Sequence, residues 1–216
     1  MPGFDAASVA ESLQRVRDRI AAAGGDESVA VLAVTKGFDA EAIEAALAAG
    51  CTAIGENYAQ ELLAKRAALA AAEVHFIGRL QSNKVRSLAG VVQVYESVDR
   101  LSVIHELARR DPGARILVQV NATGETGKGG CAPDDTASLV GHAIDSGLDV
   151  RGLMTVGPTF GPPSDARPAF RTVRALADRL GLVECSMGMT ADLEVAVEEG
   201  STEVRVGTAL FGPRAA

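Results

Sequence analysis

The chain has 216 residues, 47% of them hydrophobic and 23% charged, enough for one sizeable core and too apolar for a disordered protein. A formal charge of -7 and the lack of a long Lys/Arg cluster argue against nucleic acid as a partner. No apolar stretch reaches the length of a membrane span, and Met1-Pro2-Gly3-Phe4-Asp5 has neither the basic nor the apolar region of a secretion signal, so a cytoplasmic protein is expected.

Val9, Leu13, Val16 and Ile20 recur at steps of four, three and four between Arg15, Arg17, Asp18 and Arg19. That spacing predicts an amphipathic helix, ended by Gly24-Gly25, within residues 1–24. β-Branched runs then alternate with Ala-rich helical stretches: 29–35 and 39–49, 52–55 and 57–72, 74–77 and 81–89, 91–95 and 99–110. The alternation continues with 114–120 and 133–147, 149–155 and 165–180, 183–186 and 190–199, 203–206 and 208–212. Eight strand-helix units predict a single α/β domain over 1–216, a closed (β/α)8 TIM barrel at 29–212 preceded by the extra helix. The competitor, an open doubly wound sheet, lacks a GxGxxG after its first strand. Cys51, Cys131 and Cys185 are odd in number and form no CxxC pair, which fits reduced, packed thiols rather than disulfides or a zinc site.

A barrel builds its active site at the carboxyl ends of its strands, so the residues closing each run are informative. Lys36 closes the first, Val29-Ala30-Val31-Leu32-Ala33-Val34-Thr35-Lys36. Partial burial disfavours the charged amine and lowers its pKa, which suits a Schiff-base lysine; the alternative is a lysine that extends to solvent. Ser186, Gly188, Gly207 and Thr208 end strands seven and eight, where such barrels bind phosphate; turn glycines and helix-capping hydroxyls are the alternative. Arg205 alternates with Val204 and Val206 and therefore points into the barrel, where it needs an acceptor: a pyridine nitrogen, or a carboxylate such as Glu203 or Glu184. His75 reads as a packing histidine and Lys128 as a solvated lysine on a loop.

Three groups of residues carry a resemblance. Val34-Thr35-Lys36 with Gly55-Glu56-Asn57-Tyr58, then His75-Phe76-Ile77-Gly78-Arg79-Leu80-Gln81-Ser82-Asn83-Lys84, then Ser186-Met187-Gly188-Met189 with Val204-Arg205-Val206-Gly207-Thr208 resemble the signatures of the pyridoxal phosphate homeostasis family, the YggS/PROSC type, related to the N-terminal barrel of alanine racemase. Thr190-Ala191-Asp192 and Ala59 depart from the family pattern. The resemblance implies pyridoxal phosphate held as an aldimine on Lys36, with Ser186, Gly188, Gly207 and Thr208 at its phosphate, Arg205 at the pyridine nitrogen, Asn57 near the 3-hydroxyl and Met154 against the ring. A guanidinium stays protonated and cannot give the ring nitrogen a proton, which weakens the ring as an electron sink. Racemases of the related fold take a second base from a further domain and a partner subunit, and 216 residues leave no room for one. The expected function is a monomeric, non-catalytic carrier that buffers pyridoxal phosphate or delivers it to apo-enzymes; the alternatives are a racemase-like enzyme and a Schiff-base aldolase acting on a sugar phosphate.

Overall fold

The computed structural model describes residues 4–213; the outermost residues of the domain expected over 1–216, Met1–Gly3 and 214–216, lie outside it. Helix α1 (Ala6–Ala22) starts at Asp5, whose carboxylate accepts hydrogen bonds from Ala7 N and Ser8 N and so satisfies two of the helix's open donors. Its stripe of Val9, Leu13, Val16 and Ile20 is buried, as the spacing predicts. Each such side chain contributes about 1.5–3 kcal/mol on leaving water.

The alternating units follow in chain order: β1 (Ala30–Val34), α2 (Ala40–Ala48), β2 (Ala53–Glu56), α3 (Ala59–Ala64), β3 (Glu73–Phe76), α4 (Ser82–Leu88), β4 (Val94–Val98) and α5 (Leu101–Arg110). The second half comprises β5 (Arg115–Gln119), α6 (Thr136–Asp145), β6 (Asp149–Met154), α7 (Arg167–Arg179), β7 (Glu184–Met189), α8 (Leu193–Glu198), β8 (Glu203–Val206) and α9 (Thr208–Phe211). Neighbouring strands pair in parallel and β8 returns to β1, with Ala30 opposite Glu203 and Ala33 opposite Val206, so the expected barrel closes. Most buried apolar side chains lie in one cluster. A separate small cluster, Val94, Leu117 and Met154, fills part of the barrel interior. Among the described residues no helix is long and apolar enough to cross a membrane.

Three elements differ from expectation. The seventh strand runs on to Met189 instead of ending at 186, which leaves Ser186 in mid-strand, inside the barrel, rather than at its rim. The fourth strand is Val94–Val98, not 91–95, because Val91 and Val92 turn back onto Leu88 O while the strand continues through the buried polar residues Glu96 and Ser97. The helical stretch 57–72 divides into α3 and a 3-10 turn at Ala68–Ala71, which buries only Leu69. All three cysteines are free thiols.

Candidate functional site

The turn after β1 carries Lys36, and a second lysine holds that turn in place. Lys65, just beyond α3, is almost fully buried and donates through Nζ to Thr35 O and Phe38 O, each at 3.0 Å, and to Glu56 Oε1 at 2.5 Å. Thr35 Oγ1 donates to the same Glu56 oxygen at 2.6 Å, and Glu61 Oε2 accepts from Gly37 N at 2.8 Å. Burial pushes the Glu56 carboxyl above its usual range, against the pull of the Lys65 and Thr35 hydrogen bonds. The backbone on both sides of Lys36 is therefore tied to one buried ion pair.

Lys36 lines a cavity of about 280 Å³ at the carboxyl end of the barrel, together with Arg205, Gly207, Thr208, Thr190 and Phe38. The ends of strands one and eight thus bring four of the eight expected cofactor residues, Lys36, Arg205, Gly207 and Thr208, to one place, with Met189 and Thr190 from the end of strand seven beside them. A Cβ on Gly207 would stand 3.1 Å from Val34 O, so the bare backbone lets this turn pack closely against β1. Thr190, a departure from the family pattern, accepts from Ala209 N at 3.3 Å through its hydroxyl and thereby links the loop after β7 to α9. Phe38 also packs edge-on to Phe4, with centroids 5.3 Å apart, and Phe211 completes the trio, so Phe4, ahead of the Asp5 cap of α1, helps close the rim.

Arg205 is 4% exposed and points inward, as its alternation with Val204 and Val206 requires. Its acceptors are neither of the expected carboxylates. Nη1 donates to the carbonyl and hydroxyl of Ser186, both at 2.7 Å, and Nη2 to Thr155 O at 2.7 Å; Glu96 Oε2 is 4.0 Å away. Ser186 and Met154 lie below the cavity, inside the barrel, and are not in its wall: Met154 packs on Val94 and Leu117, and the Ser186 hydroxyl contacts Glu96 and Glu203. Gly188 is buried at φ +93° and a Cβ there would come within 2.4 Å of Ala196 Cβ, so it lets α8 approach β7. Asn57 opens onto an adjacent rim hollow shared with Arg79 and Lys84, its Oδ1 buried without a hydrogen-bond partner.

Beneath Arg205 the barrel holds a polar cluster. His75 Nδ1 lies 2.7 Å from Glu96 Oε1 and 3.6 Å from Glu203 Oε2, and Ser186 Oγ bridges Glu96 and Glu203 at 2.6 and 2.8 Å. Burial alone would push His75 down, but the Glu96 hydrogen bond and the charges of Glu203, Glu96 and Glu73 outweigh it and hold the imidazole at about 9. Glu203 is raised, by burial and by the Glu96 charge. Burial acts upward on Glu96 too, yet His75, Arg205 and Ser186 hold it below the usual carboxylate range. His75 is thus a hydrogen-bonded member of a polar network rather than a packing histidine. Lys128 is not a solvated lysine either: it donates to Glu125 Oε1 at 2.9 Å and to Gly157 O at 2.5 Å, and Glu125 also accepts from Thr159, which joins the loops after β5 and β6.

Glu96 and Lys65 were not legible as site-supporting residues. Glu96 interrupts an apolar run and reads as the end of a strand, and Lys65 sits in an Ala-rich helical pattern; a buried charge is visible only once its partner from another element is known.

The family model for the alanine racemase N-terminal domain matches residues 4–215. The pyridoxal phosphate homeostasis protein of Pseudomonas aeruginosa is 42% identical over 220 residues, covering 97% of this chain and 95% of that protein; its counterpart in Aquifex aeolicus is 39% identical over 94% of this chain and 97% of its own. The structure of PipY from Synechococcus elongatus with pyridoxal phosphate bound superposes with a TM-score of 0.83 at 32% identity, over 94% of this chain and all of that one. Alanine racemase from Clostridium difficile shares the fold at 14% identity, with a TM-score of 0.77, over 95% of this chain and 58% of its own. The chain belongs to the alanine racemase N-terminal domain family and, within it, to the pyridoxal phosphate homeostasis proteins.

Proposed function

We propose that this protein binds pyridoxal phosphate through Lys36 and takes part in its homeostasis, buffering the cofactor in the cytoplasm and handing it to apo-enzymes as a monomer. The observation that carries this reading is the shared cavity: one lysine amine, a buried guanidinium and the Gly207-Thr208 backbone converge in about 280 Å³. The residues suit the group. Lys36 supplies the amine, Gly207 and Thr208 the approach for a phosphate, Arg205 a fixed positive charge on the inner side, and the orphaned Asn57 Oδ1 an acceptor from the neighbouring hollow. Ser186 and Gly188 act one layer back: Ser186 orients Arg205 by accepting from it twice, and Gly188 sets the path of the β7 loop. Met154, packed below, gives the interior an apolar floor.

Held at Lys36, pyridoxal phosphate would supply an electrophilic carbon open to exchange with a second amine and, with a proton donor at its ring nitrogen, a sink for carbanion electrons. The chain's own residues favour the first use. A guanidinium is a poor proton donor to a ring nitrogen, and the hydrogens of Arg205 are already directed at three acceptors, Ser186 O, Ser186 Oγ and Thr155 O. Among the described residues lining the cavity, Val34, Phe38, Ile77, Met189, Thr190, Ala191, Gly207 and Thr208 include no carboxylate, imidazole or phenol to act as a second base beside Lys36. Binding without efficient turnover follows.

The test is the visible spectrum of purified protein incubated with pyridoxal phosphate, wild type beside Lys36→Ala, followed by borohydride reduction and peptide mass analysis. We expect a visible band and a pyridoxyl mass on Lys36 in the wild type only, with no exchange of the α-proton of added amino acids. A wild type that stays colourless contradicts binding; rapid Lys36-dependent α-proton exchange contradicts the carrier role.

A further inference from the structure

We propose that the opposite end of the barrel holds a divalent transition-metal cation of the zinc type, bound by His75 Nδ1 and the carboxylates of Glu96 and Glu203. These residues come from β3, β4 and β8, and one ligand atom from each falls within 4.8 Å of the others. His75 is 7% exposed and Glu96 fully buried.

Hydrogen counting shows what the cluster lacks. Four carboxylate oxygens meet two available hydrogens. The Nδ1 hydrogen of His75 serves Glu96 Oε1 at 2.7 Å or Glu203 Oε2 at 3.6 Å, not both. The single hydrogen of the Ser186 hydroxyl faces Glu96 Oε2 and Glu203 Oε1, while Arg205 Nη1 donates to the Ser186 oxygen itself. Arg205 itself is 4.0 Å from Glu96, beyond hydrogen-bond reach. Two buried carboxylates placed side by side call for a cation between them or for an extra shared proton. A divalent ion neutralises both, and one imidazole with two carboxylates is a donor set suited to zinc.

A second feature points the same way. His75 Nε2 is buried with no hydrogen-bond partner, and the nearest carboxylate oxygen, Glu73 Oε2, is 3.9 Å away. Metal at Nδ1 displaces the hydrogen there to solvent and leaves one on Nε2, directed at Glu73; a carboxylate behind a metal-bound imidazole is the usual orienting partner. The site is also accessible. His75, Ser186 and Glu203 line a cavity of about 620 Å³ that opens between the strand starts, with Glu73 and Thr202 in its wall and Lys36 absent from it. Water from this cavity can complete a tetrahedral shell, and the ion can enter without passing the Lys36 cavity.

The test uses the full chain, treated with a chelator and titrated with zinc chloride alone by calorimetry, with cobalt(II) as a spectroscopic probe. One equivalent should bind to wild type and to Lys36→Ala alike, and cobalt should give visible bands of a nitrogen- and oxygen-ligated ion. Glu203→Gln and His75→Ala should each weaken binding at least tenfold, whereas His142→Ala, on the exposed face of α6, should not. Folding of each variant is checked by circular dichroism, and Glu203→Gln, the near-isosteric change at the cavity edge, decides the matter if His75→Ala unfolds. Absence of one-equivalent uptake by the wild type overturns the proposal in favour of a shared proton, and uptake unaffected by Glu203→Gln places the metal elsewhere and overturns it equally.

Discussion

Lys65 is the lysine that the fold buries, and Lys36 depends on it. Removing its charge leaves Glu56 in the core with only the Thr35 hydroxyl, and breaking a buried pair from one side costs about 3–5 kcal/mol. Lys65→Met should therefore lower unfolding free energy by that order in urea denaturation and should also weaken pyridoxal phosphate binding, because the Thr35 and Phe38 carbonyls lose their common donor. An unchanged urea midpoint would show that the clamp carries no stability. Arg205 gives the complementary lesson: alternation along β8 was enough to aim it inward, but its acceptors proved to be two backbone carbonyls and a hydroxyl from β6, β7 and their ends. One strand's sequence sets a direction, and the partners belong to other strands.

At the scale of elements, β7 and α8 show how the site's outline is shaped by close approach. Gly188 combines a positive φ with a contact that leaves no space for a methyl group. Gly188→Ala should thus cost about 1–3 kcal/mol in thermal or urea unfolding through backbone strain and overpacking against Ala196. Because the β7 loop supplies Met189 and Thr190 to the Lys36 cavity, the same variant should loosen cofactor binding in spectral titration. A neutral Gly188→Ala would contradict the packing. Strand β4 explains why its neighbourhood was not legible: its shift to Val94–Val98 puts Glu96 inside the barrel, and only strand register decides whether a lone glutamate in a run of β-formers faces the interior or solvent.

For the whole molecule, the titratable cluster in the barrel sets a pH dependence in the chelator-treated, cation-free chain. His75 is raised to about 9 from 6.5, so the stability it contributes is complete below 6.5 and is lost as pH rises through about 9. Glu203 is also raised, so the folded chain keeps a proton that the unfolded chain has released, and its effect has the same sign. Unfolding free energy should fall between pH 6.5 and 9, by up to ~1.4 kcal/mol per pH unit for each proton involved. Urea midpoints across that range check it; His75→Gln should flatten the slope, and a level wild-type profile would refute the assignment. The sequence by itself determined the alternation of eight strand-helix units, the amphipathic first helix, Lys36 at a strand end and the motifs of the family, since all of these are written in local periodicity and in residues adjacent along the chain. Only the tertiary structure decided that Lys36 shares a cavity with Arg205 and Thr208, that Ser186 serves Arg205 from below, and that His75, Glu96 and Glu203 meet at all. The physical reason is closure: buried polar groups must find partners, and in a barrel those partners stand across the interior on strands far apart in sequence.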